Sequence, residues 1–227
     1  MPQVVGIILA RGGSKSIPQK NITDFCGKPL IAWTIETTLK AGIKTVYVSS
    51  DSDDILEVSV KYGALPLKRP EEFSGDHATS EEGWLHSIKM LDLQGVLFDW
   101  VYAPQVTSPL TTVQDVVNGL DSLKQGNFDS LFSSSPIEDF FLWEKTGEFY
   151  KSINYDWRNR KRRQDIKEQY VENGSFYFFK PDFLIKNNNR LSGRIGAVNM
   201  EFWQMFEIDT PMDLRLCSAI MKEFILD

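Results

Sequence analysis

The feature that most constrains this chain is the apolar run Val4-Val5-Gly6-Ile7-Ile8-Leu9, followed at once by the loop segment ARGGSKSIPQKN, Ala10 to Asn21. A near-continuous apolar run suits a strand buried on both faces, and such strands belong to parallel sheets covered by helices. Pro29 can open a helix that runs to about Lys40 and stops at Gly42. Further strand signals lie at residues 45–49, 100–104 and 130–133. They alternate with helix signals at 51–62 and 80–91, and after the capping box Thr112-Val113-Gln114-Asp115. This order predicts an α/β fold with a mostly parallel sheet.

The rhythm breaks after Pro136. Phe140-Phe141-Leu142-Trp143 and Glu148-Phe149-Tyr150 read as a hairpin turning near Thr146-Gly147. A basic stretch, Arg158 to Arg163, and an aromatic strand, Ser175 to Phe179, come next. The chain closes on a strand near residues 206–209 and a helix from Pro211 to about Phe224. A hairpin this rich in Phe and Trp is expected to pack on another chain, because exposed apolar patches mark interfaces. The alternative is that it folds back on its own domain.

Composition removes several classes of function. The 227 residues suffice for one large domain with a small appendage, and 42% apolar residues fill a sizeable core. A net charge of −6 argues against nucleic acid as the main partner. Cys26 and Cys217 have no metal-ligand spacing and are expected to be free thiols of a reducing cytoplasm. The run Val4 to Ala10 is too short to span a bilayer, so no membrane partner is expected.

Two constellations carry chemistry. In open α/β sheets ligands bind at the carboxyl ends of the strands, where the loop after the first strand sits. Gly12 and Gly13 let the backbone approach a ligand and can form an anion nest, and Arg11, Lys15 and Lys20 add three cations. The spacing matches neither the Walker A loop nor the dinucleotide fingerprint. A surface loop with solvated lysines is the plain alternative. The second constellation is Glu207-Ile208-Asp209, where strand alternation would put both carboxylates on one face, a pair suited to Mg²⁺. Asp213 closes a capping box in Thr210-Pro211-Met212-Asp213 and is expected to cap the last helix.

Together these segments resemble the acylneuraminate cytidylyltransferases and their relatives that act on other nonulosonic acids. The resemblance rests on ARGGSKSIPQKN with GKPLI, KRPEEFSGDHATS (68–80), PQVTSPL (104–110), RRQDIKEQYVENGSFYFF (162–179) and EIDTPMDL (207–214), which occur in the family's order. It implies a three-layer, nucleotidyltransferase-like (Rossmann-like) fold. One domain would span residues 1–227, with an inserted hairpin element at 137–172 that docks on the second subunit of a homodimer. It implies transfer of CMP from CTP to the anomeric hydroxyl of a 2-keto sugar acid, dependent on Mg²⁺ or Mn²⁺.

By the same resemblance, Ala10, Arg11, Gly12, Gly13, Lys15, Lys20, Asn21, Arg69 and Ser80 would hold the nucleotide. Arg11, Lys20 and Gln105 would carry the reaction, with Gln105 orienting the sugar hydroxyl. Arg163 would pair with the sugar carboxylate. Tyr177, Phe178 and Phe179 would wall the sugar or else belong to a core strand, and Asp209 and Glu207 would bind metal. Departures from the family pattern are Ser16 and Gln19 in place of glycines, Val106 and Thr111 around the T-S-P-L stretch, Glu207 for Asp, and Asp139-Phe140-Phe141 where some members carry a lysine. An octulosonate-specific cytidylyltransferase and a non-catalytic nucleotide-sugar binding domain are the competing readings.

Overall fold

The computed structural model describes residues 2–137 and 140–226, and of Arg163 the backbone only. Asp139 therefore lies outside the described residues. The strands are β1 (Val4–Leu9), β2 (Asp24–Phe25), β3 (Lys28–Pro29), β4 (Val46–Ser50), β5 (Leu65–Lys68), β6 (Trp100–Pro104), β7 (Ser130–Ile137), β8 (Trp143–Thr146), β9 (Phe149–Ser152), β10 (Gln169–Phe179) and β11 (Ile195–Asn199). The helices are α1 (Leu30–Lys40), α2 (Asp53–Lys61), α3 (Ser80–Leu93), α4 (Val113–Lys124), α5 (Pro181–Asn187) and α6 (Pro211–Phe224).

Seven strands form one sheet in the order β11-β7-β10-β6-β1-β4-β5. Every neighbouring pair is parallel except those of β10, which runs antiparallel to both β6 and β7. The chain moves outward from β1 through β4 to β5, then returns to β6 on the other side of β1. Strand order therefore reverses at the β1–β6 boundary, where open α/β sheets form their ligand crevice.

Both faces of the sheet are covered, which explains why β1 is apolar throughout. One face packs Ile8, Val48, Tyr102 and Phe178 against Leu30, Ile35, Ile55, Val116 and Met221 from α1, α2, α4 and α6. The other packs Val5, Ile7, Val101, Tyr177 and Phe179 against Trp84, Ile88 and Leu184 from α3 and α5. The result is the expected three-layer α/β architecture. Cys26 and Cys217 are free thiols; burial, with Asp213 and Glu207 nearby, pushes Cys217 up to about 12.

Three expectations need correction. Residues 206–208 carry no regular structure and Asp209 lies in a bend, so the expected strand does not form: their neighbour is the 105–108 loop, with Ile208 N–H donating to the Thr107 carbonyl at 2.7 Å. Helix α1 begins at Leu30, since Pro29 is still paired with Asp24 in a short hairpin. Phe178 and Phe179 are both 0% exposed and face opposite sides of the sheet, so they are core residues and not a wall for a ligand.

The hairpin β8–β9 forms as expected, with Gly147 at φ 64° in a two-residue turn. Its aromatic side chains stay outside the core: Phe149 is 79% exposed and Tyr150 62%.

Candidate active site

The loop 10–21 is held open over the β1 end by specific contacts. Ala10 N–H donates to the Ser49 carbonyl (3.0 Å), and its methyl group is buried in the core. Ile17 is buried further along and pins the loop down. Asn21 is buried too, and its Nδ2 donates to the Arg11 carbonyl at 2.9 Å, closing the loop on itself. Gln19 adopts the left-handed region at φ 51°, ψ 35°. That conformation favours glycine, so Gln19 holds it at some cost in backbone strain.

On the opposite wall, α3 begins with the capping box Thr79–Glu82, so its free N–H groups and positive dipole end face the crevice at Ser80. Arg69 comes from the end of β5. It is 5% exposed, and its Nε donates to Ser74 Oγ at 2.9 Å, which fixes the plane of the guanidinium. Gln105 follows β6, its backbone N–H donating to the Ser175 carbonyl at 2.8 Å.

Between these walls lies a cavity of 460 Å³ lined by Arg11, Lys15, Ser16, Lys20, Asn21, Arg69, Ser74, Asp76, Ser80, Gln105, Thr107 and Asp209, among others. Seven residues expected from the sequence to hold or transform a nucleotide thus meet in one place: Arg11, Lys15, Lys20, Asn21, Arg69, Ser80 and Gln105. Ala10, Gly12, Gly13, Glu207, Tyr177, Phe178 and Phe179 do not line it. Gly12 N–H donates to Asp51 Oδ1 (2.9 Å), so an internal carboxylate already occupies one amide of the expected nest. Tyr177 is tied down beside the cavity, its hydroxyl donating to Glu172 Oε1 at 2.6 Å under the Arg190 guanidinium. The Arg163 side chain lies outside what the structure describes.

The side chains of Glu207 and Asp209 lie close together despite the missing strand, and Ile208 between them is fully buried. Asp209 Oδ1 accepts from Lys20 Nζ at 2.9 Å, and the same ammonium donates to the Ile208 carbonyl at 2.9 Å. Ser16, one of the departures from the family pattern, donates its hydroxyl to the Asp209 carbonyl. Burial, and then the neighbouring Asp209, pushes the Glu207 carboxyl above the usual range. Two carboxylates crowded in this way are the donor set that a divalent cation relieves. Among the described residues no group of three or more His, Cys, Asp or Glu is arranged to hold a metal. A pair of carboxylates suits an ion such as Mg²⁺, which takes one or two protein carboxylates and completes its shell from substrate phosphates and water. Asp213 accepts from the Asp209, Thr210 and Thr210 Oγ1 donors and caps α6, as expected.

Sequence reasoning overlooked Asp76 and Asp51. Asp76 lies inside the KRPEEFSGDHATS segment, but a carboxylate is not sought among phosphate ligands. Asp51 shows itself only once β4 is placed beside β1.

An open sheet with a cationic loop at its switch point, facing a carboxylate pair, defines a nucleotidyltransferase-like fold. The solved structure of CMP:2-keto-3-deoxy-manno-octonic acid synthetase complexed with CTP shares it, with a TM-score of 0.72 over 97% of this chain and 99% of that one at 18% identity. A 4-diphosphocytidyl-2C-methyl-D-erythritol synthase matches with the same TM-score at 10% identity, over 97% of this chain and 99% of that one. The chain belongs to the cytidylyltransferase family, whose profile matches residues 5–224. It is 34% identical over 228 residues to the pseudaminic acid cytidylyltransferase of Campylobacter jejuni subsp. jejuni serotype O:23/36 (strain 81-176), with 95% of each chain covered. It is also 33% identical to N-acylneuraminate cytidylyltransferase A of Danio rerio, over 97% of this chain and 51% of that one. Among the described residues no helix is long and apolar enough to cross a membrane.

Proposed function

We propose that this chain transfers CMP from CTP to the anomeric hydroxyl of a nonulosonic, sialic-acid-like sugar acid and releases pyrophosphate. The observation that carries the reading is the meeting of Arg11, Lys15, Lys20 and Arg69 around one crevice with Gln105 and Asp209 on its rim, in a cytidylyltransferase chain. In the reaction the sugar hydroxyl oxygen bonds to the α-phosphorus while the bond from that phosphorus to the bridging oxygen breaks. Pyrophosphate leaves and the hydroxyl proton is released. Such transfers depend on positioning and on neutralising charge, so a cationic cradle is the appropriate machinery.

Arg11, Lys15 and Lys20 hold the phosphates, Asn21 supports the loop, and Arg69 and Ser80 read the cytidine. Gln105 orients the hydroxyl, and Arg163 takes the sugar carboxylate as a two-pronged guanidinium partner. Asp209, with Glu207, would hold Mg²⁺ or Mn²⁺, which supplies further neutralisation at the triphosphate when bound. The exposed aromatic hairpin supports a homodimer with the hairpin at its interface, and the two free thiols suit a cytoplasmic enzyme. The names of the sequence relatives favour a nonulosonic acid over the octulosonate.

The test is pyrophosphate release with Mg²⁺, each of the four nucleoside triphosphates and a panel of 2-keto sugar acids. Release with CTP and a nonulosonic acid is expected. Release with the octulosonate alone would replace the acceptor, and no release with CTP and any such acid would overturn the reading.

A further inference from the structure

The donors of the candidate triphosphate cradle are bound to carboxylates of the protein itself. Asp76 takes two of the three loop cations: Lys15 Nζ lies 2.6 Å from Oδ2 and Arg11 Nη1 3.2 Å from Oδ1. Asp51 takes the Gly12 amide, and Asp209 takes Lys20. Asp51 and Asp209 belong to the ends of structured segments that the fold must place there. Asp76 does not. It stands on a tight turn, Ala78 N–H donating to the Gly75 carbonyl at 3.1 Å. That turn is anchored at one end by Ser74 on Arg69 and at the other by the Thr79 cap of α3. A short, doubly anchored turn thus presents one anion to two of the cations that line the cavity, Arg11 and Lys15.

We infer that Asp76 is the internal counter-anion of the cradle, displaced when a polyphosphate binds, and that it thereby sets how tightly the site holds triphosphate and pyrophosphate. The inference rests on the cradle reading given under Proposed function. Two negative groups cannot share Arg11 and Lys15 at full strength, so each triphosphate must break the Asp76 contacts and then lie against a carboxylate. Without Asp76 the loop would keep its cations and lose its competitor. The carboxylate therefore limits affinity for the pyrophosphate product as well as for the nucleotide. Lys15, and then Arg11, hold the Asp76 carboxyl below its usual range, so it stays charged while it competes.

The experiment is titration calorimetry of wild type, Asp76→Asn and Asp76→Ser with inorganic tripolyphosphate and with pyrophosphate, with circular dichroism as the check on folding. Removing one solvent-screened competing charge should tighten both anions about three- to tenfold. Affinity that is unchanged or weaker in the two folded variants would overturn the inference. Lack of anion binding by all three proteins would instead remove the cradle reading, and this inference with it. Because inorganic anions are the probe, the result does not depend on which sugar acid the enzyme accepts.

Discussion

Gly83→Ala separates the stability of α3 from the nucleotide chemistry it supports. Gly83 lies in the first turn of α3, and a Cβ built there would come within 2.7 Å of Arg69 Nη1 and 2.9 Å of Leu9 Cδ1. Alanine in place of glycine stabilises a helix interior by about 1 kcal/mol, whereas overpacking against Leu9 costs about 1–3 kcal/mol. The net is between about zero and 2 kcal/mol of destabilisation, so the melting temperature should fall by no more than several degrees. Arg69 has no such compensation. Its guanidinium must shift by several tenths of an ångström, against the 2.9 Å bond that Nε makes to Ser74. A charge-assisted hydrogen bond to the ligand is worth about 1.5–3 kcal/mol, so its loss should weaken CTP binding about ten- to a hundredfold. The assay is the KM for CTP, with calorimetric CTP affinity beside it and Arg69→Lys as the reference. A folded Gly83→Ala enzyme with CTP affinity within about twofold of wild type would refute the assignment of Arg69 to the nucleotide.

Three further outcomes follow from the same geometry. Asp209→Ala should abolish pyrophosphate release while leaving circular dichroism and melting temperature near wild type, because Lys20 keeps its bond to the Ile208 carbonyl; near-normal turnover would reject the metal role. Phe149→Asp with Tyr150→Asp should convert a dimer to monomers in analytical ultracentrifugation, and an unchanged sedimentation coefficient would dismiss the hairpin as an interface. Asp129 is bound by Lys180 Nζ (2.6 Å) and by the backbone and side chain of Arg194, and these hold its carboxyl well below the usual range. Its folded pKa is thus lower than its unfolded one, so its contribution is full above about pH 4 and fades as pH falls further. The melting-temperature gap between wild type and Asp129→Asn should be widest near neutrality and close in acid; a constant gap would refute the linkage.

The elements legible in the sequence are those whose signal is local. The apolar run of β1, the capping boxes at Thr112 and Thr210 and the glycine turn at Gly147 each reappear within a residue or two of their expected place. What escaped is what depends on neighbours. Three of the four residues of β5 are exposed, Pro66 among them, and it is a strand because it pairs with β4 at the sheet edge, where proline is tolerated. β11 exists because the start of β7 offers it a parallel partner. Phe178 and Phe179 look like a ligand wall in the sequence because aromatic runs suit walls and core strands equally. Only the covering of both sheet faces decides for the core.

The carboxylate pair shows how two side chains can be brought together without the strand that alternation implies. Alternation along a strand would put Glu207 and Asp209 on one face, yet no ladder runs through them. Their proximity goes with a single hydrophobic anchor. Ile208 is driven into the core, its N–H is held by the Thr107 carbonyl, and the side chains of Glu207 and Asp209 lie close together on either side of it in sequence. Thr107 belongs to the T-S-P-L segment that follows β6 and Gln105. One backbone hydrogen bond therefore couples the 105–108 loop to the segment that bears the candidate metal carboxylates, and Lys20 and Ser16 couple Asp209 to the loop 10–21. Three segments far apart in sequence, 10–21, 105–108 and 207–209, meet at one point. Three of the five separated motifs thus build one site through contacts that none of them shows alone.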